Sequence, residues 1–400
     1  MNAGRDSLAA AAAFCGGIGL YGLLYVIFLF ADGPPIGPHV GVLFPDFLVF
    51  HAAARAFFEG KLALVYDIDA FTRFQVATYP DRLPPSTFFR PFFYPPVFLL
   101  MLLPFGLLAV TKAFAVFMAV TAALATALEG RRDLWGWLAI VTSPAAVWVV
   151  VAGQNTFLSI ALLYGGLHLL ERAPLAAGVL LGLLSFKPQI WVLVPLALLA
   201  ARQWRAFVAM VVTVAVLALA SLAVFGLDFC LAYLDAMRLA GSSQIAETMF
   251  ERVYMHMTTL LAAARIVGLS PGIAGAIQLA GALLAIAAVW HAFRHHGPGV
   301  ARTSVLVTAT FLVSPYTLNY DLLLLMPVVV ALFRLGAVQG FYPGERLVHV
   351  AMWLIPTMGL ILNRLDLPVT PLLVLLLGTI AWVRLHDAAK VELPKPATAS

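Results

Sequence analysis

Apolar runs of very different length alternate along this chain with short polar breaks, and both carry information. Runs at 9–31, 111–128, 134–152, 156–171, 174–186, 188–201, 206–226, 271–293, 302–316, 318–335, 346–362 and 368–386 hold few charges. The longer ones suit a hydrocarbon core of about 30 Å, which takes roughly 20 helical residues to cross. Others, such as 174–186 and 188–201, are shorter than a standard span. Short, proline-broken helices fit a membrane where they line a cavity, because exposed backbone is tolerated only there. The stretch 94–109, interrupted by Pro104, reads as a re-entrant or interfacial half-helix; if it crosses instead, the connector Arg131-Arg132 changes sides. The pattern predicts an all-α polytopic membrane protein, a bundle of about twelve (ten to thirteen) transmembrane helices. It forms one membrane domain over 1–388, followed by a disordered cytoplasmic tail, 389–400.

Two stretches are not spans: a first outer loop at 32–93 and a second at 227–258. Both mix aromatic and charged residues at helical spacing, so each is expected to hold helices lying on the membrane surface. In FPDFLVFHAAARAFFEG, residues 44–60, Phe47, Phe50, Ala54 and Phe57 share one face while Arg55 and Glu59 turn to the other. That apolar face is expected to pin the helix to the membrane and hold Asp46 at headgroup depth.

Composition agrees with the pattern. The 400 residues are 62% hydrophobic and 11% charged, against roughly 25% charged in a soluble domain. The first run lacks a small-residue cleavage site and reads as a retained helix. A net charge of +5 is modest and makes no case for nucleic acid. Basic residues collect in connectors, at Arg131-Arg132, Arg172, Arg202 with Arg205, Arg294 to Arg302, Arg334 to Arg346, and after Arg384. The positive-inside rule places these in the cytoplasm with both termini, and the two loops outside. Cys15 and Cys230 then fall near opposite faces, which argues against a disulfide or a metal pair.

Under this topology the polar clusters all reach the outer face. They are Asp46, Phe93-Tyr94-Pro95-Pro96, Gly153-Gln154-Asn155, Phe186-Lys187-Pro188-Gln189, and Ser314-Pro315-Tyr316 with Asn319-Tyr320-Asp321. Polar side chains at membrane depth are costly and mark function by default. Each also has a structural reading. Asp46 and Asp321 stand where carboxylates favour helix starts. Lys187 is placed to snorkel to the interface, and Gln154 and Asn155 to bond neighbouring helices. His51 reads as a polar-face residue. Arg55, Arg73, Arg82, Arg90, Arg238 and Arg252 read mostly as solvated loop charges, with one or two available to bind phosphate. No Walker motif, dinucleotide fingerprint, H-E-x-x-H or Cys/His metal spacing is present.

Taken in order, the early Asp in a long outer loop, Y-P-P, G-Q-N, A-G-V-L-L-G-L-L-S-F-K-P, R-Q-W-R and S-P-Y-T-L-N-Y-D resemble the bacterial integral-membrane glycosyltransferases of family 87, in the GT-C superfamily. The resemblance covers roughly 10–385. Members of that family include polyprenol-phosphate-mannose-dependent mannosyltransferases. It implies a GT-C fold, a sugar carried on polyprenyl phosphate, and inverting transfer at the outer face of the cell membrane, with Asp46 as general base. The expected partners are the polyprenyl-phosphate-linked sugar, a lipid or glycan acceptor, and membrane lipids. No cofactor or metal is expected. Lys187, Gln154, Asn155 and Tyr94 are the expected substrate contacts, with Tyr316, Asn319, Tyr320 and Asp321 from the late motif. Relatives often carry a histidine in that late motif, whereas this chain reads S-P-Y-T-L-N-Y-D. A phosphate contact there would fall to Tyr316, Asn319 or Tyr320, or pass to Lys187. The rival reading is a flippase or permease for a lipid-linked sugar, for which inverted repeats and midplane ionisable residues would be expected; no internal repeat is evident.

Overall fold

The computed structural model describes residues 44–129, 134–241 and 243–391. The run at 9–31, Cys15, Arg131-Arg132 and most of the tail lie outside these residues. In chain order the helices are α1 Pro45–Phe58, α2 Ile68–Thr78, α3 Pro96–Gly106, α4 Val110–Leu128, α5 Leu134–Val141, α6 Pro144–Ala152, α7 Thr156–Leu169, α8 Pro174–Leu183, α9 Pro188–Trp191, α10 Leu193–Ala200 and α11 Trp204–Phe225. There follow α12 Leu227–Ala240, α13 Ser243–Val253, α14 Leu260–Ile266, α15 Pro271–His295, α16 Val300–Val313, α17 Met326–Gln339, α18 Glu345–Arg364 and α19 Thr370–Val391. Short 3₁₀ turns sit at Leu62–Leu64, Leu184–Phe186, Tyr254–His256 and Asn319–Leu325. No strand occurs among the described residues; the one extended pairing is an isolated bridge between Met257 and Leu318.

Local chemistry explains where the helices begin. Proline stands in the first turn of α1, α3, α6, α8 and α15, where its missing N–H costs nothing and its φ suits the helix. Ser143 and Ser270 precede two of these prolines and accept hydrogen bonds from Ala146 N and Ile273 N. Asp67 and Thr259 cap α2 and α14 in the same way.

The expected count of about twelve spans is not confirmed among the described residues. Among the described residues, six helices are long and apolar enough to cross a membrane: α4, α11, α15, α18, Asn319–Gln339 and Thr370–Asp387. The segments Trp135–Val141 and Pro144–Ala152, bent by 50° at their junction, make a seventh if taken as one span. Pro96–Gly106, Thr156–Leu169, Pro174–Phe186, Pro188–Ala200 and Val300–Val313 are apolar but shorter. Eleven residues, the length of α3, reach only about 17 Å at 1.5 Å per residue, so the half-helix expected at 94–109 is a half-helix. The long helices differ in what covers them. Only 11% of the apolar window of α11 is buried, against 61% for Asn319–Gln339. Val208, Val212, Val216 and Leu219 of α11 are exposed, a surface made for lipid rather than water.

Two compact units divide the chain, one of 1–188 with 208–254 and one of 189–207 with 255–400. In the first, α1 packs against α3, and α4 against α7, which also meets α8. Gly182 of α8 faces Met210 O and Thr213 of α11, where a Cβ would come within 2.6 Å of the Thr213 side chain. In the second, α16 is the centre, packed between α15 and α19 and buried from Ser304 to Leu312. Buried Gln278 knits α14, α15 and α16 by accepting from Leu261 N and donating to Leu312 O. Arg384 and Glu345 form a buried ion pair between α19 and α18, with bonds of 2.8 and 2.6 Å.

The helix at 45–58 departs from expectation. Phe47, Leu48, Phe50, Ala52, Ala53, Ala54 and Ala56 are all buried, at 1% exposure or less. Burial of three successive alanines means that protein surrounds the helix from Phe47 to Ala54, so the phenylalanine face meets protein where lipid was expected. Phe47 and Phe50 pack on Phe117, Tyr94 and Phe98, and Phe57 on Phe225. The alanines admit α3 closely: a Cβ at Gly106 would stand 2.8 Å from that of Ala54.

Candidate active site

Asp46 occupies the first turn of α1, and three local features fix where that turn starts. Phe44 precedes it in the left-handed region at φ 48, a conformation that costs a bulky residue energy. Its N–H bonds Val151 O at 2.9 Å, and its ring stacks on Phe114 with centroids 4.2 Å apart. Gly153 ends α6 at φ 75 and lets the α6–α7 turn lie against the start of α1. A Cβ there would come within 2.6 Å of Phe47 Cβ and 2.9 Å of Phe44 Cβ. Arg90 closes the third side by donating to Pro45 O. Its Nε bonds Gln75 Oε1 at 3.0 Å, while Gln75 Nε2 bonds Arg90 O at 2.8 Å.

This framing brings four expected site residues together with Asp46. Gln154 Nε2 donates to Asp46 Oδ2 at 2.7 Å. Gln154 Oε1 accepts from Tyr94 OH and from Asn155 N, each at 3.2 Å. Lys187 Nζ donates to Asn155 Oδ1 at 3.0 Å. Gln154, Asn155 and Lys187 are buried and Asp46 is half-buried. The Tyr94 backbone is held in turn by Tyr66 OH, at 2.9 Å. Asn155 Nδ2 is buried and bonds to nothing in the protein, an uncommon state that points to a ligand or ordered water. A carboxylate at the edge of the cluster and an ammonium inside it are linked by two carboxamides.

Several expectations need correction. Lys187 does not snorkel; it is 1% exposed. Arg90 is not a solvated loop charge. It is buried, and desolvation pushes its guanidinium below the usual value, with the charge of Asp46 pulling the other way. His51 is not a polar-face residue either: Nε2 donates to Leu108 O at 2.9 Å, so Nδ1 accepts from Tyr79 OH at 2.6 Å. Burial lowers its pKa, opposed by the Leu108 carbonyl and assisted by Arg55. The F-F-R-P-F-F setting of Arg90 was the sequence signal for its burial, since a charge among phenylalanines is seldom left in water.

Tyr316, Asn319, Tyr320 and Asp321 belong to the second unit. Asp321 Oδ2 accepts from Leu318 N at 3.0 Å and so caps its own turn. Asn319 donates to Pro356 O at 3.4 Å and meets His256 Nδ1 at 3.2 Å. Tyr316 is half-buried beside Ser314, whose Oγ accepts from its N–H. His256, from the turn Tyr254–His256, therefore puts an imidazole beside a motif that lacks one in sequence. Burial lowers its pKa, with the Asn319 bond acting against that.

Several helices long and apolar enough to cross a membrane, together with a polar cluster of opposite charges on carboxamides, are consistent with a membrane protein that carries a polar site. Residues 92–315, more than half of the chain, match the family model for glycosyltransferase family 87. The chain belongs to glycosyltransferase family 87, and a GT-C membrane transferase is consistent with that. No curated protein and no solved structure matches it. The family match holds Tyr94, Gln154, Asn155 and Lys187 but begins after Asp46. Asp46 joins the cluster through the bond from Gln154.

Proposed function

We propose that this glycosyltransferase moves a sugar, foremost a mannose-like hexose, from a polyprenyl-phosphate donor to a lipid or glycan acceptor at the outer face of the cell membrane, with inversion and with Asp46 as general base. The observation that carries this reading is the Gln154–Asp46 hydrogen bond, within a cluster that also buries Lys187 on Asn155. An inverting transfer needs a carboxylate that takes the acceptor proton as the new bond forms. The acceptor oxygen attacks the anomeric carbon from the face opposite the phosphate. The carbon–oxygen bond to phosphate breaks, its electron pair stays on the phosphate oxygen, and the hydroxyl proton passes to Asp46. Charge then builds on the departing phosphate as the sugar becomes oxocarbenium-like. A fixed ammonium and a carboxamide N–H suit that charge, because preorganised donors need no rearrangement during reaction. Lys187 and Asn155 Nδ2 supply them in this reading, and every step is assigned to side chains of the chain itself.

The test uses purified protein in nanodiscs, radiolabelled polyprenyl-phosphate sugars and a lipid extract from the source cells. Label should pass to a new lipid or glycan product, and Lys187→Met should weaken donor binding roughly tenfold or more, the scale of one lost charge-assisted contact. Label that crosses the bilayer without forming a product would favour the carrier instead.

A further inference from the structure

We propose that His291, His296 and His386 form a binding site for a divalent transition metal of the zinc type, which ties the end of α15 to the end of α19. The three side chains each present one ligand nitrogen, and these nitrogens lie within 4.8 Å of one another. His291 stands one turn before the end of α15, His296 just beyond that end, and His386 near the end of α19. The imidazoles of His291 and His386 lie nearly parallel at 5.5 Å, and that of His296 meets His386 at 4.9 Å. All three are half-buried. Tetrahedral bonds of about 2.0–2.1 Å would put pairs of ligand nitrogens roughly 3.3–3.4 Å apart. Closing from 4.8 Å therefore takes a shift of at most about 1.5 Å, within reach of rotation about the side-chain torsions.

The tautomer supports the assignment. His386 Nδ1 faces Trp382 O at 2.9 Å and must donate to it, which leaves Nε2 with its lone pair. Metal-binding histidines are commonly fixed in this way by a carbonyl on the other nitrogen. Three nitrogen ligands select zinc, copper, nickel or cobalt over magnesium and calcium, which take oxygen ligands. Arg302 also packs here, donating from Nη1 to His296 O at 3.1 Å and covering the Phe293 ring. Its charge opposes a bound cation, so the three imidazoles must outweigh that repulsion. The site is separate from the late motif of its own unit. Gln278, which bonds the end of α16, lies thirteen residues before His291, or about 20 Å along α15 at 1.5 Å per residue.

The experiment uses full-length protein in nanodiscs, purified with a histidine-free tag and stripped with chelator, then titrated with Zn²⁺ calorimetrically and with Co²⁺ by its visible absorption. Wild type should bind a single ion and gain thermal stability from it. His386→Ala and His296→Gln should each weaken binding roughly tenfold or more, with unchanged melting in the metal-free state, while His295→Ala leaves affinity unaltered. The absence of saturable binding by wild type would overturn the proposal. So would binding lost in His295→Ala but kept in His386→Ala, which would assign the ion to the helical pair His291 and His295.

Discussion

The distinguishing feature of the cluster at the residue level is that its charged members are held by neutral amides. Gln154 orients the carboxylate of Asp46 and Asn155 holds the ammonium of Lys187. Asp46, Gln154, Asn155, Lys187 and Tyr94 were legible because each breaks an apolar run or ends a loop, where a polar residue is conspicuous. The setting of His51 was not, because Leu108 O and Tyr79 come from distant positions, and Arg90 was signalled only by the phenylalanines around it, since its acceptor, Pro45 O, is equally distant. His51 carries a pH prediction. Its folded pKa lies below the usual 6.5, chiefly through burial. The folded state therefore keeps it neutral, while the unfolded state takes up a proton below about 6.5. The stability it contributes is complete above that pH and is lost as pH falls. In His51→Gln the acid limb of a melting-temperature profile should be shallower below pH 6.5 than in wild type. An identical limb would assign that loss to other groups, His256 among them.

Helix breaks, more than helices, build the site. Gly153-Gln154-Asn155 separates α6 from α7, and Lys187 separates the turn Leu184–Phe186 from α9. These interruptions were readable because proline and glycine punctuate the sequence there. The surroundings of α1 were not readable, since an apolar helical face looks the same whether its neighbour is lipid or protein. Both reward the same residues, and only the run of buried alanines separates the cases. Gly153 is the break with the least freedom. In Gly153→Ala the left-handed backbone alone should cost about 1–3 kcal/mol, with the clash against Phe47 and Phe44 added. Lower melting temperature and lost transfer are expected together, while Gly272→Ala, whose Cβ would meet nothing within 4 Å, should match wild type. Equal melting of the two variants would mean that the α6–α7 turn is not held against α1 as described.

For the molecule as a whole, the sequence conveyed the class of fold better than its number of crossings. Short runs such as 174–186 and 188–201 were counted as spans, yet their helices, α8 and α10 among them, are shorter than a standard crossing. The orientation proposed from the basic connectors has a direct check. In a Cys15→Ser/Cys230→Ser background, Lys61→Cys should react with an impermeant thiol reagent on intact cells. Gly297→Cys, in the basic connector after α15, should react only after permeabilisation. Reversed labelling would move the first loop to the cytoplasm and take the proposed donor chemistry to the other leaflet.

The most direct test of the central claim compares wild type with Asp46→Asn in nanodiscs, measuring sugar transfer and donor binding on the same samples. Asparagine keeps the size of the side chain and can still meet Gln154, but it cannot take the acceptor proton. Transfer should fall by about 10²–10⁴-fold, the usual worth of a general base, while donor affinity and melting temperature stay at wild-type values. An Asp46→Asn protein with undiminished transfer would contradict it.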